Sequence, residues 1–123
     1  MFLIRQSQVD VHSTSMLTEF ETRMVVHLHT YFPEWTAEQG PDRLAEFVRY
    51  GIKRAQRYDF TVELDLARYL HVMQALGKNF DESKTYPWAP TLLTSQLPPS
   101  GKMDRLRDAT DYYIEARRIQ DAR

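Results

Sequence analysis

The stretch LAEFVRYGIKRAQRYDFTVELDLARYLHVMQALGKNFDESKTYPW, residues 44–88, decides the fold. Two amphipathic patterns stand back to back in it. The first places Leu44, Phe47, Val48, Gly51, Ile52, Ala55 and Tyr58 at steps of three, four and one. The second does the same with Val62, Leu66, Tyr69, Leu70, Met73 and Leu76. One buried face of an α-helix repeats in this way. Only Tyr58-Asp59-Phe60 and a few flanking residues separate the patterns, so a tight helical hairpin or corner is expected. Gly51 costs about 1 kcal/mol relative to Ala inside a helix, which suggests either a close approach by another helix or tolerance with no special reason. Thr61 is the expected N-cap of the second helix. Glu63 and Asp65 follow in its first turn, where carboxylates complement the helix dipole. Gly77 marks its end.

Working outward, Ser13, Thr14 and Ser15 offer caps for a preceding helix with the stripe Leu17, Phe20, Met24, Leu28 and Tyr31. Pro33 ends it, because the residue before a proline is pushed out of the helical region. Residues 34–40 read as a connector, and Pro41 suits a first helical turn. Residues 2–4 are apolar and expected to tuck against the core, with Ser7 capping a short turn. On the other side, residues 80–101 hold Pro87, Pro90, Pro98 and Pro99, which rule out one long helix. One helical turn over residues 91–95 is allowed, and Trp88 is expected to anchor the segment. Ser100 then caps a last helix over about residues 102–121, with Met103, Leu106, Ala109 or Thr110, and Tyr113 facing inward. The fold class is therefore all-α: one compact domain, residues 1–123, of four main helices with a Pro/Trp-containing loop before the last.

Composition narrows the function. The 123 residues carry 16 Lys+Arg against 17 Asp+Glu, a formal charge of -1. A nucleic-acid binder normally shows a basic excess that neutralises phosphates, so none is expected here. There is no Cys, which excludes thiolate catalysis and Cys-based zinc sites. No apolar run approaches the roughly 20 residues of a membrane span, and the first residues lack the pattern of a signal peptide. The expectation is a cytoplasmic protein without membrane contact.

No chemistry-bearing motif stands out in the sequence. His27 and His29 point to opposite sides of a helix, and His12 and His71 stand alone in the sequence, so no metal site is expected. Gly77-Lys78 lacks the earlier glycine and the following Ser or Thr of a phosphate loop. The acidic pairs Glu19/Glu21, Glu63/Asp65 and Asp81/Glu82 read as solvated charge and helix capping. No cofactor, catalytic residue or small-molecule substrate is expected. One charged feature has order: Arg49, Lys53 and Arg57 recur every fourth residue, beside Arg54. The ridge is a solvated face paired with acids such as Glu46 and Glu63, a docking surface for an acidic protein or, third because the whole chain is not basic, a nucleic-acid ridge. Tyr86 and Trp88, in a proline-rich segment, complete the candidate protein-binding residues, since Trp and Arg are frequent hot spots.

The chain resembles a family of short helical proteins encoded in bacterial type VI secretion and toxin effector clusters. The matching residues are Ile4-Arg5, Gln8, Phe20, Arg23-Met24, His27-Leu28 and Phe32-Pro33. They continue through Gly51-Ile52, Arg54-Ala55, Tyr58, Gly77, Phe80-Asp81 and Pro87-Trp88-Ala89 to Lys102-Met103-Asp104-Arg105-Leu106. The pattern departs at Asp59, where the family has glycine. The resemblance implies a non-enzymatic adaptor, chaperone or co-chaperone for a secreted effector, or an immunity protein against a toxin acting in the cytoplasm. Its partner would be the effector or the effector's chaperone.

Overall fold

The computed structural model describes residues 13–122. Residues 2–4, the turn expected from Ser7, and His12 lie outside that range. The described chain is all-α. It forms α1 (Thr14–Tyr31), α2 (Pro33–Gln39), α3 (Pro41–Arg57), α4 (Glu63–Leu76), α5 (Trp88–Leu93) and α6 (Pro99–Asp121), with a 3₁₀ turn at Phe80–Glu82. The four long helices stand where periodicity puts them. Two segments read as connectors are helical as well: residues 33–39 form α2, and Trp88 begins α5 rather than sitting in an open loop.

Local chemistry sets the boundaries. Ser13 caps α1 by accepting from the Met16 amide at 3.1 Å. Phe20, Met24 and Leu28 carry α1's buried stripe, while Tyr31 is 54% exposed and drops out of it. Pro33 both ends α1 and starts α2, because a proline is tolerated in the first helical turn, where its missing N–H has no helical partner to lose. Gly40 (φ 79°) turns the chain into α3, which again opens on a proline. Between α3 and α4, Asp59 takes φ 70°. Glycine enters that left-handed region freely and Asp tolerates it. Thr61 does not cap α4: Val62 holds the cap position, and no side-chain cap bond forms there. Ser100 likewise lies inside α6, whose cap position is Pro98.

The centre of the core is α4. Its buried residues include Leu66, Ala67, Tyr69, Leu70, Val72 and Met73, so it is covered on several sides. α3 crosses it with Leu44, Phe47, Val48, Ile52 and Ala55, and α6 covers it with Met103 and Leu106. Phe60 and Phe80 flank Tyr69 with ring centroids 6.0 and 5.1 Å away. Lys102 is buried in the same region. Its Nζ donates to the Leu93 carbonyl at 3.0 Å and reaches the Tyr58 carbonyl at 3.5 Å. These carbonyls lie at the C-terminal ends of α5 and α3, where the helix dipole favours a cation.

Gly51 explains itself in this packing. A Cβ there would stand 2.3 Å from Leu70 Cδ2 and 2.7 Å from Met73 Sδ. Gly51→Ala gains about 1 kcal/mol of helix propensity but overpacks the α3–α4 contact, at a cost of about 1–3 kcal/mol. A net loss of stability is expected in urea denaturation; a variant more stable than wild type would show that the helices separate freely.

Candidate functional site

The basic ridge occupies the face of α3 opposite its core stripe. Arg49 and Arg57 are each 57% exposed in their side chains, and Lys53 is exposed. Arg49 Nε stands 3.6 Å from Glu21 of α1, and Arg57 stands 3.7 Å from Glu82 of the 3₁₀ turn. Pairs this long and exposed contribute at most about 1 kcal/mol. Lys53 has no ion pair among the described residues. The acids expected opposite the ridge are elsewhere. Glu63 is buried and binds Arg23 of α1 through two bonds of 2.8 and 2.7 Å. Glu46 makes no ion pair among the described residues.

Arg54 belongs to the interior rather than the ridge. It donates to Asp81 Oδ2 from Nε at 3.0 Å and from a terminal nitrogen at 2.6 Å, and the Tyr58 hydroxyl donates to the same oxygen at 2.7 Å. Asp81, read as solvated charge, is 1% exposed. The clamp ties the 3₁₀ turn to α3 and so fixes Glu82 beside Arg57. Burial, then the bond to Asp81, pushes the Tyr58 phenol up to about 12.

Tyr86 and Trp88 are half-buried against the core. Tyr86 packs edge-on to Trp88 (5.9 Å) and to Tyr113 of α6 (5.0 Å). Trp88 is thus partly a core residue. Among the described residues, no hydrogen bond or ring contact joins these aromatics to Arg49, Lys53 or Arg57.

A second feature was not legible in the sequence. His71, read as isolated, meets His27 of α1 with the two Nε2 atoms 2.6 Å apart. The pair sits in a cleft of about 400 Å³ between α1, α4 and α6. Phe32, Leu64, Val72 and Ile114 give it apolar walls, and Arg68, Arg107 and Asp111 line it as well. Burial lowers the pKa of both histidines; His71, further depressed by the charges of His27 and Arg107, falls to about 4. Both rings are therefore neutral near pH 7. The signal for this pairing is tertiary: 44 residues separate the two. Among the described residues, no group of three or more His, Cys, Asp or Glu side chains is arranged to hold a metal ion. No helix among them is long and apolar enough to cross a membrane.

No family model, no curated protein and no solved structure matches this chain.

Tyr58→Phe tests the clamp. A hydrogen bond to a charged acceptor contributes about 1.5–3 kcal/mol, and a loss of that order is expected at neutral pH. Above pH 10 the unfolded chain loses its phenol proton while folded Tyr58 keeps it, so stability falls as pH rises toward 12. Denaturation at stepped pH should give a shallower fall for Tyr58→Phe than for wild type; equal slopes would mean that Tyr58 is not held in this way.

Proposed function

We propose that the chain is a non-enzymatic protein-binding accessory, an adaptor or chaperone that helps load a type VI secretion effector in the cytoplasm. The observation that carries the binding role is the ridge of α3. Three cations at four-residue spacing stand on one helix, with two loose acidic partners and none for Lys53 among the described residues. Like charges at this spacing repel by a few tenths of a kcal/mol each. An acidic surface laid along α3 relieves that repulsion and adds charge-assisted bonds. Complementary charge of this kind steers encounter and sets register more than it adds raw affinity. The half-buried Tyr86 and Trp88 supply apolar contact area at low entropic cost, since Trp88 is already held by the core. The secretion context rests on the resemblance quoted above, through residues such as Arg54, Tyr58, Asp81 and Trp88.

The test is capture from the native cell followed by identification of the bound protein. Lys53→Glu with Arg57→Glu should leave the fold within about 0.5 kcal/mol of wild type, as ordinary surface changes do, and abolish capture. Persistent capture by the folded double variant would remove the ridge from the site. An unfolded variant would show the ridge to be structural. Deletion of the gene separates the roles: lost delivery of an effector to rival cells supports the adaptor, and self-killing supports immunity.

A further inference from the structure

The charged face of α3 is longer than its three four-residue steps. Arg43, Glu46, Tyr50, Lys53 and Arg57 follow one another at alternating steps of three and four, which sets them on one strip of the helix. From Arg43 to Arg57 the strip runs about 21 Å, at about 1.5 Å per residue. Its N-terminal end borders a hollow of about 440 Å³, lined by Gln39, Arg43, Glu46, Phe47, Tyr50 and Lys78. Two exposed cations line it from different parts of the chain. Arg43 comes from the start of α3, and Lys78 from just past the end of α4. Neither makes an ion pair among the described residues. Tyr50 is held in place on the same wall. Its hydroxyl donates to Asn79 Oδ1, Lys78 Nζ lies 5.1 Å from the centroid of its ring, and the Arg54 guanidinium lies 5.5 Å from that centroid.

Two cations on one concavity repel each other, and an incoming anion relieves that repulsion. An arginine takes a carboxylate through two parallel bonds, and a lysine takes it as a point charge. Further along the strip stand Lys53 and Arg57, so a chain with carboxylates at intervals meets a cation near each end. We propose that the hollow anchors an acidic peptide segment of a partner protein, with one carboxylate held by Arg43 and Lys78 and the rest of the segment running along α3 to Lys53 and Arg57. This anchor rests on the docking role proposed for the ridge and adds Arg43, Tyr50 and Lys78 to it. At about 3.3 Å per residue, roughly six extended residues cover the strip. A peptide fits this face better than a nucleic acid does, because acids interleave with the cations. Glu46 lines the hollow, and Glu21 and Glu82 stand beside Arg49 and Arg57. A nucleic acid brings a phosphate with every nucleotide and presses some of them against these carboxylates. A peptide sets an uncharged or basic residue there instead. Binding energy concentrates on arginine and aromatic side chains seated in a pocket, so Arg43 and Tyr50 make the hollow the anchor rather than the rim.

The test follows a fluorescein-labelled octaglutamate peptide binding to the full-length chain, by anisotropy at low salt near neutral pH. Saturable binding that weakens steeply with added salt is expected. Arg43→Glu and Lys78→Glu should each weaken it by about tenfold or more. Arg105→Glu, the same reversal at an exposed position of α6, should change it by less than about twofold. Loss on Lys53→Glu with Arg57→Glu, but on neither Arg43→Glu nor Lys78→Glu, keeps the ridge and overturns the hollow. The opposite pattern keeps the hollow and removes the ridge. No saturable binding, or an equal loss on Arg105→Glu, overturns the hollow and the ridge together. An oligouridylate that binds more tightly than the peptide and is lost on the same two variants assigns the face to nucleic acid and overturns the proposal. Should a variant fail to fold, amide resonances of the wild-type chain decide. The peptide must shift Lys78 and Asn79, and a titration that moves neither ends the proposal.

Discussion

The close approach of α3 and α4 at Gly51 is the constraint on which the rest of the molecule depends. With no Cβ there, Leu70 and Met73 of α4 fill the space against the α3 backbone. α4 is then covered by α3 on one side and α6 on another, which leaves it little solvent-facing surface. Everything else is positioned from this pair. The buried Arg54–Asp81–Tyr58 cluster hangs the 3₁₀ turn on α3, and the turn leads to α5, whose last carbonyls hold Lys102 of α6. A side chain at position 51 would therefore disturb more than one contact, because the two helices and the segments fastened to them share a single spacing.

Periodicity made the long helices legible, because each buries a stripe at three- and four-residue steps. It failed for α2 and α5 for a physical reason. The α2 sequence PEWTAEQ buries only Thr36, and α5 has six residues with a proline among them. Neither is long enough to show a stripe, and both depend on the neighbours they pack against. The ends of α4 and α6 were misread for a related reason: Thr61 and Ser100 are good caps by residue type, yet the chain turns one residue later in the first case and two residues earlier in the second. The site was legible in one dimension only. The spacing of Arg49, Lys53 and Arg57 was visible in the sequence, but not the removal of Glu63 to Arg23 or the meeting of His27 with His71, which depend on how α1 lies on α4.

The near-neutral formal charge conceals two classes of ion pair. Arg23–Glu63 and Arg54–Asp81 are short, and their acids are buried. Removing one partner of such a pair strands a charge out of water and costs about 3–5 kcal/mol. These pairs fix which helix faces which. Arg49–Glu21 and Arg57–Glu82 are long and exposed, so they hold little and yield readily to a competing carboxylate. The two interior acids are each engaged by a single buried or half-buried arginine. Glu63 goes to Arg23 of α1 and Asp81 to Arg54 on the inner side of α3, so neither pairs with Arg49, Lys53 or Arg57.

The ridge and the histidine cleft share no side chain, yet both lean on α1. Glu21 touches Arg49 from one side of that helix, and His27 touches His71 from another. Distance alone makes no coupling between them; coupling needs an element with two arrangements that both sites bias, and it must then be reciprocal. α1 is held in one arrangement: Arg23 and His27 tie it to α4, and Phe20, Met24 and Leu28 are buried in the core. The Glu21–Arg49 pair is long and exposed, so its loss leaves the Arg23–Glu63 and His27–His71 ties in place, and the ridge can change partners without unseating α1.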